Sequence, residues 1–221
     1  KAKTVRSGKL RSLGTDRDLR PLYDQMEPLK YDVVICPHCG YAALTRFFGG
    51  LTAGQIKAIK ENISANFHPV EEEKETYTYE EALYRYKLCL ANTIVKHGKV
   101  SEKAYICLKA GWLLRSMGEN LDPAVEDYNK KIQEIKEQEK DFLKNALDGL
   151  ITARQTESYP ICGMDEVTLE YLIAVLAMEF EKYDISSRLI YNILNTPTVN
   201  NRIKDKAREV KDELLQQMGK K

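Results

Sequence analysis

Two cysteines hold the most specific chemistry in this chain. In YDVVICPHCGYAAL, residues 31–44, Cys36 and Cys39 flank Pro37, which stiffens the turn, and are followed by Gly40, which permits a left-handed exit. A C-x-x-C turn presents two thiolates with backbone amides available to the sulfurs, half of the four tetrahedral ligands that a structural zinc ion takes. The apolar, β-branched run before Cys36 reads as a strand entering that turn. The stretch therefore predicts a structural metal knuckle with Cys36 and Cys39 as ligands and zinc as the cofactor. A redox C-x-x-C is the other chemistry of this spacing, but it sits at a helix start within a βαβ pattern, and the chain shows no such pattern.

The remaining chemical residues are sparser. His38, inside the knuckle, is expected to point outward; His68 precedes Pro69 in a loop; His97 reads as a cation at a helix C-terminus. His38 and His68 are the reserve ligands should the site be completed within the chain. Cys89 and Cys107 lie in helical patterns and are expected in the core, whereas Cys162, in the loop YPICGMD, has no cationic neighbour in sequence to activate it. Glu71, Glu72 and Glu73 read as solvated surface. Phosphate-loop, H-E-x-x-H and G-x-S-x-G signatures are missing, so a non-enzymatic role is expected.

These residues are carried by two kinds of sequence. Residues 1–50 alternate short apolar runs with polar segments and predict a small β portion; residues 51–221 predict a helical domain. Thr52 with Gln55, and Thr78 with Glu81, form capping boxes opening helices to about Asn66 and His97, with Gly98 as the left-handed residue after the second. Ser101 is expected to cap a helix to Gly118, and Asp122 with Pro123 to open a long one to about Arg154. Asp165 opens the next, to about Lys182. A short helix spans 185–195, and Asn200 caps the last, whose Ile203, Ala207, Val210 and Leu214 form one stripe. Ala104, Cys107 and Gly111 share a face that allows a neighbour to approach closely. Gly111, Gly118, Ala124 and Tyr128, then Ser187, Tyr191 and Leu194, match the tetratricopeptide spacing in part. The predicted fold class is mainly α, tetratricopeptide-like antiparallel helix pairs with a small N-terminal zinc-ribbon-like β portion.

The run KTVRSGKLR, then DRDLRPLYDQMEPLKYDVVICPHCGYAAL, then LKAGWLLRSMGE, resembles a family of uncharacterised bacterial proteins with an N-terminal zinc-ribbon-like part and a tetratricopeptide-like C-terminal part. The resemblance covers nearly the whole chain. It implies a first C-P-x-C pair just upstream of the K-V-R-S-like segment, completing the zinc site with Cys36 and Cys39. The chain starts at Lys1 without a Met, after the place of that pair, so truncation is the expected reason for a half-site.

Net charge is +1, which gives no global attraction to nucleic acid or anionic membrane. Residues 1–20 nevertheless carry seven Lys/Arg against two Asp, and eight basic residues precede Cys36, so nucleic-acid binding by the ribbon is the alternative function. The main expectation is a protein-interaction or scaffold module binding a protein or peptide, with Tyr84, Tyr86, Tyr105, Trp112 and Tyr128 as candidate groove residues. The apolar stripe Ile132, Ile135, Phe142 and Leu143 in the long helix offers self-association. No run of apolar residues is long enough to span a membrane, and five scattered cysteines suit a reducing cytoplasm.

Overall fold

The computed structural model describes residue 5 and residues 10–24, 26–68 and 76–219. Glu71, Glu72 and Glu73 lie outside them. The architecture is mainly α with a small N-terminal β portion made of two antiparallel pairs. Strands β1 (Ser12–Thr15) and β2 (Pro21–Tyr23) form one sheet, and β3 (Val33–Ile35) and β4 (Ala42–Leu44) the other. In the second pair Val33 faces Leu44 and Ile35 faces Ala42, so the hairpin projects Cys36–Cys39 at its tip. Helices α1 (Ala53–Asn62), α2 (Tyr79–Val95), α3 (Val100–Glu119), α4 (Tyr128–Thr156), α5 (Glu166–Glu179), α6 (Tyr183–Asn195) and α7 (Asn201–Met218) follow.

Helix starts coded by adjacent residues form as expected. Both capping boxes are closed in each direction, Asp165 accepts from the Thr168 amide at 2.8 Å, and Asn200 accepts from the Ile203 amide at 3.0 Å. Three other expectations are corrected. Ser101 is not a cap: it sits in the first turn of α3, and its amide and hydroxyl donate to Glu157 at the end of α4, at 2.9 and 2.6 Å. A neighbouring helix thus supplies the acceptor and the negative charge that this N-terminus needs. Asp122 accepts from the Ala124 amide at 2.9 Å and so closes a turn on its own backbone; α4 begins only after Asp127, at φ 58°. Ala124 therefore lies before the helix that the tetratricopeptide spacing assigned it to, and Gly118 lies inside α3.

The third correction concerns the α2–α3 turn. His97, not Gly98, adopts the left-handed conformation (φ 52°), with Gly98 N–H bonded to Thr93 C=O at 2.8 Å and His97 N–H to Ile94 C=O at 3.0 Å. Glycine is needed at 98 for space, because a Cβ there would lie 2.7 Å from Thr93 Cγ2. The α5–α6 turn repeats the arrangement with Glu181 at φ 56° and Lys182 N–H bonded to Ala177 C=O at 2.8 Å.

The small face of α3 receives α4. A Cβ on Gly111 would lie 2.6 Å from Leu143 Cδ2, a Cβ on Gly149 would lie 2.7 Å from Ala104 Cβ, and Gly118 faces Ile135. Rising numbers on α3 meet falling numbers on α4, so the two run antiparallel at close range. Helix α5 is buried on every side from Leu169 to Met178, whereas α7 buries only Ala207, Val210 and Leu214. From the N-terminal portion Leu29, Val33, Ala42 and Leu44 join the same continuous core as the helices.

Candidate functional site

The knuckle is built by the β3–β4 hairpin and braced from both sides. Cys36 N–H donates to Tyr41 C=O at 2.8 Å and Gly40 N–H to Cys36 C=O at 3.0 Å. Gly40 has φ 70°, and a Cβ there would lie 2.5 Å from Phe67 Cγ, so conformation and space both demand glycine. Asn92 of α2 donates to Gly40 C=O at 3.0 Å, and Ser64 donates to Cys39 C=O at 2.7 Å. Tyr41, Ala43 and Ile59 form a small apolar cluster beneath the half-buried cysteines.

The backbone amides of His38 and Cys39 and the Cys39 thiol favour a charge on the Cys36 sulfur, and the Tyr41 amide favours one on the Cys39 sulfur. Burial resists ionisation of Cys36, but these donors outweigh it and its pKa falls below the ordinary thiol value. At Cys39 burial, together with its hydrogen bond to Cys36 and the charge of that neighbour, pushes the pKa up. Two thiols on one tight turn have the spacing of two adjacent ligands of a tetrahedral thiolate site. Among the described residues no group of three or more His, Cys, Asp or Glu side chains is placed to hold a metal ion. His38 and His68 are exposed.

A second polar assembly lies at the β1–β2 loop, Asp16 to Arg20. Asp16 N–H donates to Arg20 C=O at 2.8 Å, and Leu19 turns the loop at φ 69°. The buried Arg20 reaches Asp16 at 2.5 Å, Ser116 at 2.8 Å and both carboxylate oxygens of Glu119 at 2.7 and 2.9 Å. Asp18, 2% exposed, accepts from Trp112 Nε1 at 2.9 Å and pairs with Arg115 at 2.9 Å. Arg115 also holds Glu139 at 2.7 Å. Burial disfavours both guanidinium charges, but the carboxylates outweigh it and raise both pKa values. Arg17 is paired with Glu213 of α7. The assembly clamps the first sheet onto α3, α4 and α7, beside an open cleft of about 480 Å³.

The five candidate groove residues do not share a surface. Tyr84 is 49% exposed, Tyr105 is half-buried beneath Arg46 and Lys109, and Tyr128 is half-buried at the start of α4. Tyr86 and Trp112 are corrected to core positions: Tyr86 is 1% exposed with its hydroxyl on Leu29 C=O at 3.0 Å, and Trp112 is occupied by Asp18. Both rings lie inward, where they gain more from burial than a groove would provide. Sequence reasoning missed Asp16, Asp18 and Arg20, since alternating charge in D-R-D-L-R reads as a solvated loop, and Arg115, whose partners Asp18 and Glu139 are distant in sequence.

A family model, DUF2225, described as an uncharacterised protein conserved in bacteria, matches residues 1–214. The chain belongs to this family. The match runs through both sheets and nearly all of α7. No curated relative and no solved structure matches it. Among the described residues, no helix of this DUF2225 protein is long and apolar enough to cross a membrane.

Proposed function

We propose that the chain is a non-enzymatic protein-interaction or scaffold module of the cytoplasm, in which a structural zinc knuckle at Cys36 and Cys39 is mounted on a tetratricopeptide-like helical body. The observation that carries the reading is the pair of free thiols on one tight hairpin turn, with that turn braced by Asn92 and Ser64. Zinc there would set the hairpin tip without performing chemistry, and its remaining ligands would come from an upstream C-P-x-C pair of the kind the family resemblance implies. Free thiols at all five cysteines suit a reducing compartment. Of the basic residues behind the nucleic-acid alternative, Arg17 and Arg20 are engaged with carboxylates and Lys30 lies over the Tyr79 ring at 3.7 Å.

Zinc per chain, measured by elemental analysis on this 221-residue chain and on one extended by an upstream C-P-x-C pair, tests the reading. About one zinc per extended chain, lost on Cys36→Ser, is the expected result. No zinc in either form would overturn the metal assignment.

A further inference from the structure

At the root of the β3–β4 hairpin, remote from the cysteines, a cavity of about 340 Å³ opens against α3, lined by Asp32, Leu44, Thr45, Arg46, Tyr105 and Lys109. Its frame is fixed by local bonds. Thr45 donates its amide and its hydroxyl to Asp32 C=O, at 2.8 and 3.0 Å, which closes the hairpin root. Tyr105 and Lys109 stand one helical turn apart on α3 and face the same cavity. Arg46 donates to the carbonyl of Cys162 in the α4–α5 loop, where a Cβ on Gly163 would come within 3.0 Å of its guanidinium. Three segments distant in sequence thus converge on one concave surface.

The charges do not balance. Asp32 pairs with Lys109, which leaves the Arg46 charge over. Both cations approach one aromatic ring, Arg46 at 5.8 Å and Lys109 at 5.2 Å from the Tyr105 centroid. Burial works against the Lys109 charge, but Asp32 more than offsets it, so the ammonium is retained. A guanidinium offers five N–H donors and an ammonium three. Among the described residues each makes one hydrogen bond, to Cys162 C=O and to Asp32, so most donors remain for a ligand.

We propose that this cavity binds a small molecule through a phosphate group, with Arg46 and Lys109 as the two cationic contacts. A tetrahedral phosphate has oxygens enough to accept a planar fork from one side and a point charge from another. The volume falls in the lower range of small-ligand sites and exceeds what free phosphate fills. The site is independent of zinc at the hairpin tip.

Calorimetric titration of inorganic phosphate into the full chain, at ionic strength held constant with chloride, tests it. Saturable binding is expected, about tenfold or more weaker in Arg46→Gln and tighter in Asp32→Asn, where the competing carboxylate charge is gone. Arg46 is exposed, so its variant keeps the fold, which circular dichroism checks. Titration with glycerol phosphate separates the sources: tighter binding than inorganic phosphate identifies an ester ligand, equal binding a free phosphate. Absence of saturation, unchanged affinity in Arg46→Gln or weaker binding in Asp32→Asn would overturn the proposal.

Discussion

The two small sheets of the N-terminal portion are attached to the helices by opposite means. Strands β1 and β2 bury none of their residues fully, and their loop is held by Asp16, Asp18 and Arg20 bonded to Trp112, Ser116, Glu119 and, through Asp18, Arg115. Strand β4 is buried throughout, and its Ala42 and Leu44, with Val33 of β3, sit in the helical core. A sheet without an apolar face is placed by directional charge pairs, which fix its orientation but respond to salt and to loss of one partner. A sheet with an apolar face is placed by burial, which is non-directional and is not screened by salt.

The sharpest way to break this comparison is Leu44→Ala. Leu44 is 2% exposed in the shared core, so a loss of about 2–5 kcal/mol in urea unfolding is expected, in one cooperative transition. A cost below about 1 kcal/mol would show that the hairpin is not part of the core. Arg20→Met comes next. It leaves Asp16 and Ser116 short of a partner, but Glu119 is half exposed, so about 1–3 kcal/mol is expected, with amide exchange rising selectively in β1 and β2. Molar salt should raise exchange in the same strands and leave β3 and β4 unchanged.

Alkaline pH probes the apolar side. Burial pushes Cys89 up to about 12 and Cys107 up to about 11, from an ordinary value of 9.0. The unfolded chain ionises first, so the stabilisation is complete below pH 9.0 and is lost as pH rises toward the folded values. The unfolding free energy from urea titration should therefore fall between pH 8 and 10.5, by up to about 1.4 kcal/mol per group for each pH unit above 9.0, and less in Cys89→Ala. The smallest effect is Thr78→Ala, which opens one capping box of α2 at a cost of about 1 kcal/mol by thermal unfolding.

Legibility followed the range of the interaction. Thr52, Thr78, Asp165 and Asn200 could be read as caps because each bonds an amide three residues away. Ser101 could not, since its partner Glu157 lies 56 residues on. The cysteine turn was readable for the same local reason, while Arg20 and Trp112 depend on residues 94 to 99 positions distant. The root cavity escaped notice because Asp32, Arg46 and Lys109 form no pattern along the chain.

By itself the sequence determined the helical composition, the four helix caps at Thr52, Thr78, Asp165 and Asn200, the one-sided stripe of α7 and the tight turn that carries the two thiols. All of these rest on periodicity or on bonds spanning a few residues. Tertiary structure alone decided that Tyr86 and Trp112 point inward, that Gly98 is required by crowding and not by its dihedral angles, and that Arg46 and Lys109 share one cavity. Those outcomes depend on which distant surfaces meet, and that is set by the packing of the whole core.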